Sequence, residues 1–386
     1  MRLLATTTVL LLCCGRSTAQ VIHAETDTPV SASVVVADSI APSDTLSIGN
    51  RMLDLLNTQI DELNNIDTTY ITPQLYQYTF MLQNTSTFES FTIRSTGEKN
   101  QALRFAPKPT FRLGGYFGWR WLFLGYTFDV KGLLGKKSKK TNKKEFDLSF
   151  YTSRIGIDLY FRQTGNDFRY ANLEDLATDE QTLPDGVSKD FSGLSLNTRG
   201  FNIYYIFNHR YFSYPAAFSQ STVQRKSCGT FKLGFSFTHH RVSLDQSKFD
   251  ERLLPFIDPS MLFSQVKYND FNLNCGYAYN WVFHRDWLFC ASLSPGISYN
   301  VTYYHTDEGD RKEGSISLPV FRNFSLDKLN LDFITRVGLV YNNTRYFAGL
   351  SFILHSFDYK NKSIRFNNSF GSLNLYVGFN FKRRKQ

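Results

Sequence analysis

Between His239 and Asp245 the chain carries a crowded group of residue types that could do hydrolytic chemistry. His239 and His240 are followed by Ser243 and Asp245, and a serine nucleophile needs a histidine base and an orienting acid within hydrogen-bond distance. The sequence contains no nucleophile elbow, phosphate-binding loop or metal-binding helix motif. We therefore predict a non-enzymatic protein with no catalytic, cofactor-binding or metal-binding residues, and a hydrolase built on this group is the least favoured alternative.

Five charged residues form a second group, because all of them fall on the polar side of stretches in which apolar and polar residues alternate. Successive side chains of a strand point to opposite faces, so the polar positions share one face. If the sheet closes into a barrel, charges of both signs on its inner face either pair and fill the interior or line an aqueous constriction that selects solutes. The sequence leaves both alternatives open. The five residues are Asp147, Asp158, Arg162, Asp332 and Arg336.

Long strands must position these groups. From Phe271 to Phe283 the odd positions are apolar or aromatic, while the even positions are polar or small apart from Val282. Strands of soluble sheets usually have about 5 to 6 residues, whereas a tilted strand that crosses a bilayer needs about 9 to 11. Hydrocarbon offers no partner to an open sheet edge, so such a sheet must close. The pattern predicts an all-β fold, an antiparallel transmembrane β-barrel with a polar lumen.

Composition agrees with strands rather than helices as the membrane-crossing elements. Aromatic residues make up 16% of the chain and the mean hydropathy is only −0.29. After residue 19 no apolar stretch approaches the length of about 20 residues that a membrane helix needs. Membrane helices are therefore excluded, and the alternating stretches remain.

The number of strands depends on one ambiguous region. Single-chain bacterial barrels have an even number of strands, yet thirteen alternating stretches can be placed in the sequence. Either 243–267 hides a further strand, giving 14 strands, or the short stretch 212–220 does not cross, giving 12. The stretches are 70–82, 103–117, 121–130, 145–151, 155–163, 194–207, 212–220, 230–242, 268–283, 287–304, 329–341, 346–358 and 368–381.

The turns between these stretches indicate how the barrel is oriented. Short turns alternate with long polar loops, and short turns are typical of the periplasmic side of such barrels. All four tryptophans flank short turns, as expected for an interfacial aromatic girdle. They are Trp119, Trp121, Trp281 and Trp287.

The two ends of the chain lie outside the predicted barrel, which covers 70–381. Residues 1–19 have the basic start, apolar run and small-residue cleavage site of a secretory signal peptide. Residues 20–69 are predicted to form a short N-terminal periplasmic extension with one amphipathic helix near 51–64. That helix is either a linker on the barrel rim or a plug or docking helix. Residues 382–386 form a basic periplasmic tail.

Two features of the sequence predict binding partners, namely a lysine-rich loop and the C-terminal strand. Six lysines in the loop 135–144 contribute to the formal net charge of +9, and outside the cell they could attract lipopolysaccharide phosphates. A solvated loop is the alternative, and nucleic acid is an unsuitable partner for an exported chain. The insertion machinery would read Phe379 and Phe381. The sequence does not decide the oligomeric state. The lysines are Lys136, Lys137, Lys139, Lys140, Lys143 and Lys144.

Residues 211–220 and 224–231 carry a resemblance to a known family. They read YFSYPAAFSQ and QRKSCGTF, and they are similar to an uncharacterised family, a domain of unknown function, of predicted outer-membrane β-barrels from Bacteroidetes-type bacteria. The resemblance extends over about 70–381. It implies a barrel in the outer membrane of a Gram-negative bacterium, but it supplies no site residue.

Two functions remain open for such a barrel. One is a pore for small solutes; the other is a structural or surface-binding barrel with a packed lumen. The three cysteines after the signal peptide do not decide between them, because an odd number of widely spaced cysteines indicates no disulfide framework. These cysteines are Cys228, Cys275 and Cys290.

Overall fold

The fold is seen in a computed structural model. The structure describes residues 66–96, 101–107, 110–119, 122–129, 143–165, 167–172, 184, 186–303, 329–360 and 364–383. The predicted signal peptide, the predicted helix near 51–64 and all the loop lysines except Lys143 and Lys144 therefore lie outside the described residues. Among those that are described, no helix is long and apolar enough to cross a membrane.

One antiparallel sheet of fifteen strands makes up most of the described chain. Three of the fifteen strands are short and pair in the order β3-β8-β9. They are β3 (Ala102–Pro107), β8 (Phe168–Asn172) and β9 (Asp190–Phe191). The other twelve are β2 (Tyr76–Ser95), β4 (Thr110–Trp119), β5 (Leu122–Asp129), β6 (Lys144–Tyr151), β7 (Ile155–Gly165), β10 (Leu194–Ile206), β12 (Cys228–Leu244), β13 (Gln265–His284), β14 (Trp287–Tyr303), β15 (Leu329–Asn342), β16 (Tyr346–Lys360) and β17 (Ile364–Arg383).

The twelve strands follow one another in the order β5-β4-β2-β17-β16-β15-β14-β13-β12-β10-β7-β6. The long strands nearest the two chain ends pair along their full length, from Tyr76 beside Arg383 to Ser95 beside Ile364. β5 and β6 stand at the two ends of this order, and the sheet curls until side chains of β6 reach those of β4, the neighbour of β5. Glu145 of β6 lies 3.0 Å from Arg112 of β4. The sheet therefore forms a barrel.

The two rims of the barrel differ in their connections. The rim that carries Tyr76 and Arg383 also carries the short turns after β4, β6, β13 and β15, and we term it the terminal rim. The opposite one, termed the far rim, carries the connections that follow β5, β7, β12 and β14. A small separate sheet of β1 (Ile71–Pro73) and β11 (Thr222–Gln224) belongs to the terminal rim.

The alternating pattern of the sequence is confirmed as an outer apolar face and an inner polar face. Phe231 is 63% exposed, whereas the next residue, Lys232, is only 3% exposed. Leu331 is 69% exposed beside the buried Asp332. Large exposed apolar side chains recur on all the long strands whose side chains are described from β12 to β17. Such a continuous apolar exterior suits hydrocarbon rather than water.

Among the described residues twelve long strands follow one another, which agrees with the lower of the two counts left open. The stretch 212–220 contains a short helix, α1 (Tyr214–Phe218), instead of a strand, and 243–267 contains 3-10 turns between two strand ends. Two predicted boundaries are wrong. The first long strand is not 70–82, because β2 continues to Ser95 through polar residues that break the apolar alternation. The predicted strand 103–117 is two strands, separated near Pro107 and Pro109, since proline lacks an amide donor.

Close packing between neighbouring strands leaves no space for a side chain at Gly371. A Cβ added to Gly371 of β17 would overlap the carbonyl oxygen of Ile353 on β16. Backbone atoms cannot move aside as a side chain can, so we expect Gly371→Ala to lower the free energy of unfolding by about 1 to 3 kcal/mol. Urea unfolding in detergent micelles, followed by gel migration without boiling, measures this change.

Gly115→Ala is the matched control for this substitution. A Cβ at Gly115 would meet only the Leu82 side chain, at 4.0 Å, which is an ordinary van der Waals contact. We expect this variant to unfold at the wild-type urea concentration. Equal stability of the two variants would contradict the packing described for β16 and β17.

Candidate functional site in the barrel interior

The connection between β10 and β12 folds into the barrel rather than away from it. Residues 207–227, termed the plug, begin at the terminal rim and include α1. Ser213 caps this helix by accepting a hydrogen bond from the Ala216 amide at 3.2 Å, and Pro215 occupies its first turn, where a missing amide hydrogen costs nothing. Four of its five residues are buried. A one-turn helix survives here because the barrel wall surrounds it.

A buried lysine holds the plug to the wall. The Lys232 ammonium of β12 donates to the Tyr214 hydroxyl at 2.7 Å and to Ser292 Oγ of β14 at 2.8 Å. The Tyr214 hydroxyl in turn donates to Ser292 at 2.6 Å. The ammonium also lies 5.2 Å from the centre of the Tyr204 ring. The hydroxyls and ring faces together stabilise a charge that would otherwise be costly to bury.

Glutamine side chains fix the two ends of the plug. Gln220 adopts a left-handed backbone conformation with φ 58°, and its Nε2 donates to the Tyr376 hydroxyl of β17 at 2.7 Å. Gln224 Oε1 accepts from the Ser213 amide at 2.9 Å and from Asn280 Nδ2 of β13 at 3.0 Å. These contacts reach strands on different sides of the barrel, so the plug spans its cross-section.

The wall also leaves room for the plug. At Gly338 of β15 an added Cβ would lie 3.3 Å from the Ala217 carbonyl oxygen, so a side chain here would press on the helix. Outside the lumen, β1 pairs with β11, and Arg225 Nη1 lies 2.7 Å from Asp286 Oδ1. The plug is therefore held from the lumen and from the terminal rim.

An ion pair crosses the middle of the barrel. Asp158 of β7 and Arg336 of β15 lie five places apart in the ring of twelve and pair directly. Arg336 also donates to the Tyr151 hydroxyl at 2.8 Å. Asp158 accepts from Asn202 Nδ2 at 3.0 Å and from Ser149 Oγ at 2.8 Å. Pairing that fills the interior, one of the two predicted alternatives, is what these residues show.

A second charge cluster lies between β4, β6 and β7. Glu145 Oε1 is 2.8 Å from Lys143 Nζ and 3.8 Å from Arg162, and Arg162 also pairs with Asp147 at 2.8 Å. The Lys143 side chain is only 3% exposed. This member of the predicted lysine loop therefore points inward and is not available to an external phosphate.

Apolar residues close the far rim. The segment 245–264, termed the cap, connects β12 to β13 through three 3-10 turns, yet it reaches β2 and β3 on the opposite side of the ring. Gln101 Nε2 donates to the Phe256 carbonyl at 2.7 Å and Gln101 Oε1 accepts from the Asp258 amide at 2.9 Å. The buried cluster beneath includes Phe91, Phe105, Phe191, Leu253, Met261, Tyr268 and Phe366.

A small cavity lies in the middle of the barrel. Its volume is about 30 Å³, and its lining includes Asp158, Arg162, Arg336 and His355. This volume has room for about two water molecules. The Tyr160 ring beside it is buried against Phe357 and Phe370, and the Tyr160 hydroxyl lies 2.6 Å from Thr238 Oγ1.

Residues 65–381 match the family described as Domain of unknown function (DUF4421). The chain belongs to this family. The match covers the whole barrel together with the plug, whose sequence 211–231 carried the resemblance noted above.

Solved structures with similar folds include three bacterial membrane proteins. The outer membrane protease OmpT of Escherichia coli shares 8% identity with a TM-score of 0.34, covering 81% of this chain and 98% of that one. OprG of Pseudomonas aeruginosa shares 8% with a TM-score of 0.22, covering 80% and 98%. The translocator domain of NalP from Neisseria meningitidis shares 10% with a TM-score of 0.28, covering 89% and 100%. These likenesses assign no function. No curated protein matches the chain significantly.

The crowded group between His239 and Asp245 of the DUF4421 chain does not form one site. His239 points to the outer face, where its Nδ1 lies 2.7 Å from Asn269 Oδ1, while His240 points inward and stacks on Tyr268. Ser243 is bonded to Gln265. Asp245 accepts hydrogen bonds from the Ser247 hydroxyl and amide, which lower the pKa of its carboxyl. The four residues form no catalytic triad.

Several interior residues escaped the sequence analysis. Lys232, Tyr160 and Asp270 all lie at the inward-facing positions of their strands. The alternating pattern could therefore have assigned them to the lumen. Tyr214 could have been found from Ser213 and Pro215, a typical helix start. Among the described residues, no three His, Cys, Asp or Glu side chains gather to hold a metal.

Proposed function

We propose that this DUF4421 protein is an integral outer-membrane β-barrel that serves as a structural or surface-binding protein and does not conduct solutes in its resting state. The observation that carries the proposal is that the interior is filled at three successive levels, by the plug, by the charged middle layer and by the cap. A cavity for about two water molecules is too small for a solute path.

Membrane placement is supported by the apolar exterior and by the rims. The terminal rim, which carries Trp281 and Trp287 in exposed positions, would face the periplasm after export through a signal peptide at 1–19. The far rim would face outward and present the cap with the β3-β8-β9 extension. Any surface binding would then take place at this rim.

Two partners are part of the proposal. The lysine loop would attract lipopolysaccharide phosphates through Lys136, Lys137, Lys139 and Lys140, since Lys143 is already paired with Glu145. The insertion machinery would bind β17, whose outer face carries Phe379 and Phe381.

Conductance in a planar bilayer tests the closed interior. We expect the wild-type protein to produce no discrete current steps, because ions have no continuous aqueous path. A variant in which 211–226 is replaced by a short glycine-serine linker should produce steps, since it lacks the plug. A classical porin serves as the positive control for insertion.

Reproducible current steps with the wild-type protein would contradict the proposal and favour the alternative, a pore for small solutes. A plug-less variant that folds, shifts on gels and still shows no steps would mean that the cap and the charged layer suffice to close the barrel.

A further inference from the structure

Two carboxylates meet inside the barrel without a basic partner. Asp270 of β13 and Asp332 of β15 both face the lumen and are 1% and 4% exposed, and their carboxyl groups lie within hydrogen-bonding reach of each other. Asp158, by contrast, has Arg336. No ion pair joins Asp270 or Asp332 to lysine or arginine in the part of the chain that the structure describes.

Further buried oxygen atoms in this part of the lumen lack a hydrogen-bond donor among the described residues. Both carboxylate oxygens of Asp270 are buried without a hydrogen-bond donor among the described residues, and so is Oδ1 of Asn300. Asn300 lies directly opposite Asp270 in the β13–β14 ladder and is 2% exposed. Its Nδ2 donates to the Asp358 carbonyl at 3.0 Å, and the Asp358 amide donates to Asp332 at 2.9 Å. Asn300 thus lies beside both carboxylates.

Such an arrangement needs a compensating positive charge. Adjacent ionised carboxylates repel each other, and a buried carboxylate without donors is costly. Oxygen donors alone select a hard cation, and two carboxylates match a divalent charge. Calcium tolerates irregular coordination, whereas magnesium demands regular octahedral geometry and retains several water molecules. The space beside Asp332, lined by Ile334, Phe357 and the polar side chains of Ser236, Asn272 and Ser294, is too small for a water molecule, so a cation bound there would take its oxygen ligands mainly from the protein.

We propose that Asp270, Asp332 and Asn300 form a calcium site that joins β13, β14 and β15 beneath the cap. The site is independent of the proposed function, because a conducting and a closed barrel could both contain it. Bound calcium would link three neighbouring strands through one ion. We expect it to act on the stability of the far half of the barrel.

Isothermal titration of the full-length protein in detergent tests the site directly. After removal of metal with a chelator, calcium chloride should bind with about one equivalent per chain and raise the unfolding temperature, read from unboiled gel migration, by several degrees. Magnesium chloride at the same concentration should have a clearly smaller effect. Wild-type protein that binds no calcium overturns the proposal, whatever any variant does.

Two substitutions locate the site. Asp270→Asn keeps the shape but removes one charge, and it should weaken calcium binding by about tenfold or more. Asp147→Asn, which removes another lumen carboxylate, should bind as the wild type does. If Asp270→Asn does not fold, Asn300→Ala takes its place and should also lose affinity. Calcium binding that is unchanged in both site variants would refute the assignment. A calcium-insensitive wild type with a more stable Asp270→Asn variant would identify a shared proton instead.

Discussion

Arg336→Met is expected to lower the free energy of unfolding by about 3 to 5 kcal/mol. The guanidinium is 1% exposed and forms the ion pair with Asp158 across the lumen. Removing it leaves the Asp158 carboxylate buried, with only the weaker donors Asn202 and Ser149. The Tyr151 hydroxyl also loses the hydrogen bond that Arg336 donates to it. Urea unfolding of the protein in micelles or lipid vesicles, followed by tryptophan fluorescence, measures the difference.

The double variant Asp158→Asn with Arg336→Met tests whether the two charged side chains stabilise the barrel as a pair. Replacing both members of a buried ion pair is often neutral or stabilising, while removing one member is costly. We therefore expect the double variant to recover at least half of the stability lost in Arg336→Met. Losses that simply add would show that the two side chains act independently and that the cross-lumen pair contributes little.

Tyr214→Ala is expected to have the second large effect. Tyr214 is 0% exposed, packs against Phe218 with ring centres 5.2 Å apart, and provides the hydroxyl that the Lys232 ammonium donates to. Deletion of a buried aromatic side chain costs about 3 to 5 kcal/mol, and here an ammonium also loses a partner. The cavity should make the plug easier to displace, so brief current steps are expected in planar bilayers.

Tyr214→Phe is the matched control. It keeps the ring in place and removes only the hydroxyl, which should cost about 1 to 3 kcal/mol through the unsatisfied Lys232. No current steps are expected for this variant because the plug still fills the lumen. Equal conductance of the two variants would mean that the ring of Tyr214 does not hold the plug in position.

The sequence predicted which strand residues point into the lumen, but it did not predict which of them meet across the lumen. Which side chain points inward depends only on its parity, so Asp158 and Arg336 could be assigned to the lumen from the alternation alone. That these two residues meet depends on the curvature of a ring in which β7 and β15 lie on nearly opposite sides. No local pattern contains this information. Asp332 was likewise assigned to the lumen from its parity, but that it lies beside Asp270 was missed for the same reason.

The plug shows how a local pattern can mislead. Phe212, Tyr214, Ala216 and Phe218 alternate with smaller or polar residues, which imitates the period of a strand. The decisive signals were Ser213 and Pro215, which together are typical of a helix start. The lumen surrounds the segment on all sides, so every face of the short helix can be apolar, and the usual helical period is lost.

The seam between β2 and β17 has a consequence for biogenesis. It joins Tyr76 to Arg383 and Ser95 to Ile364, so the barrel cannot close before β17 has been synthesised. Until then both edges offer unpaired amides and carbonyls to any other chain. Contacts this distant in sequence also form slowly. In the export proposed above, the chain would cross the periplasm with both edges of the sheet unpaired, and its topology would then require a chaperone that keeps it from aggregating.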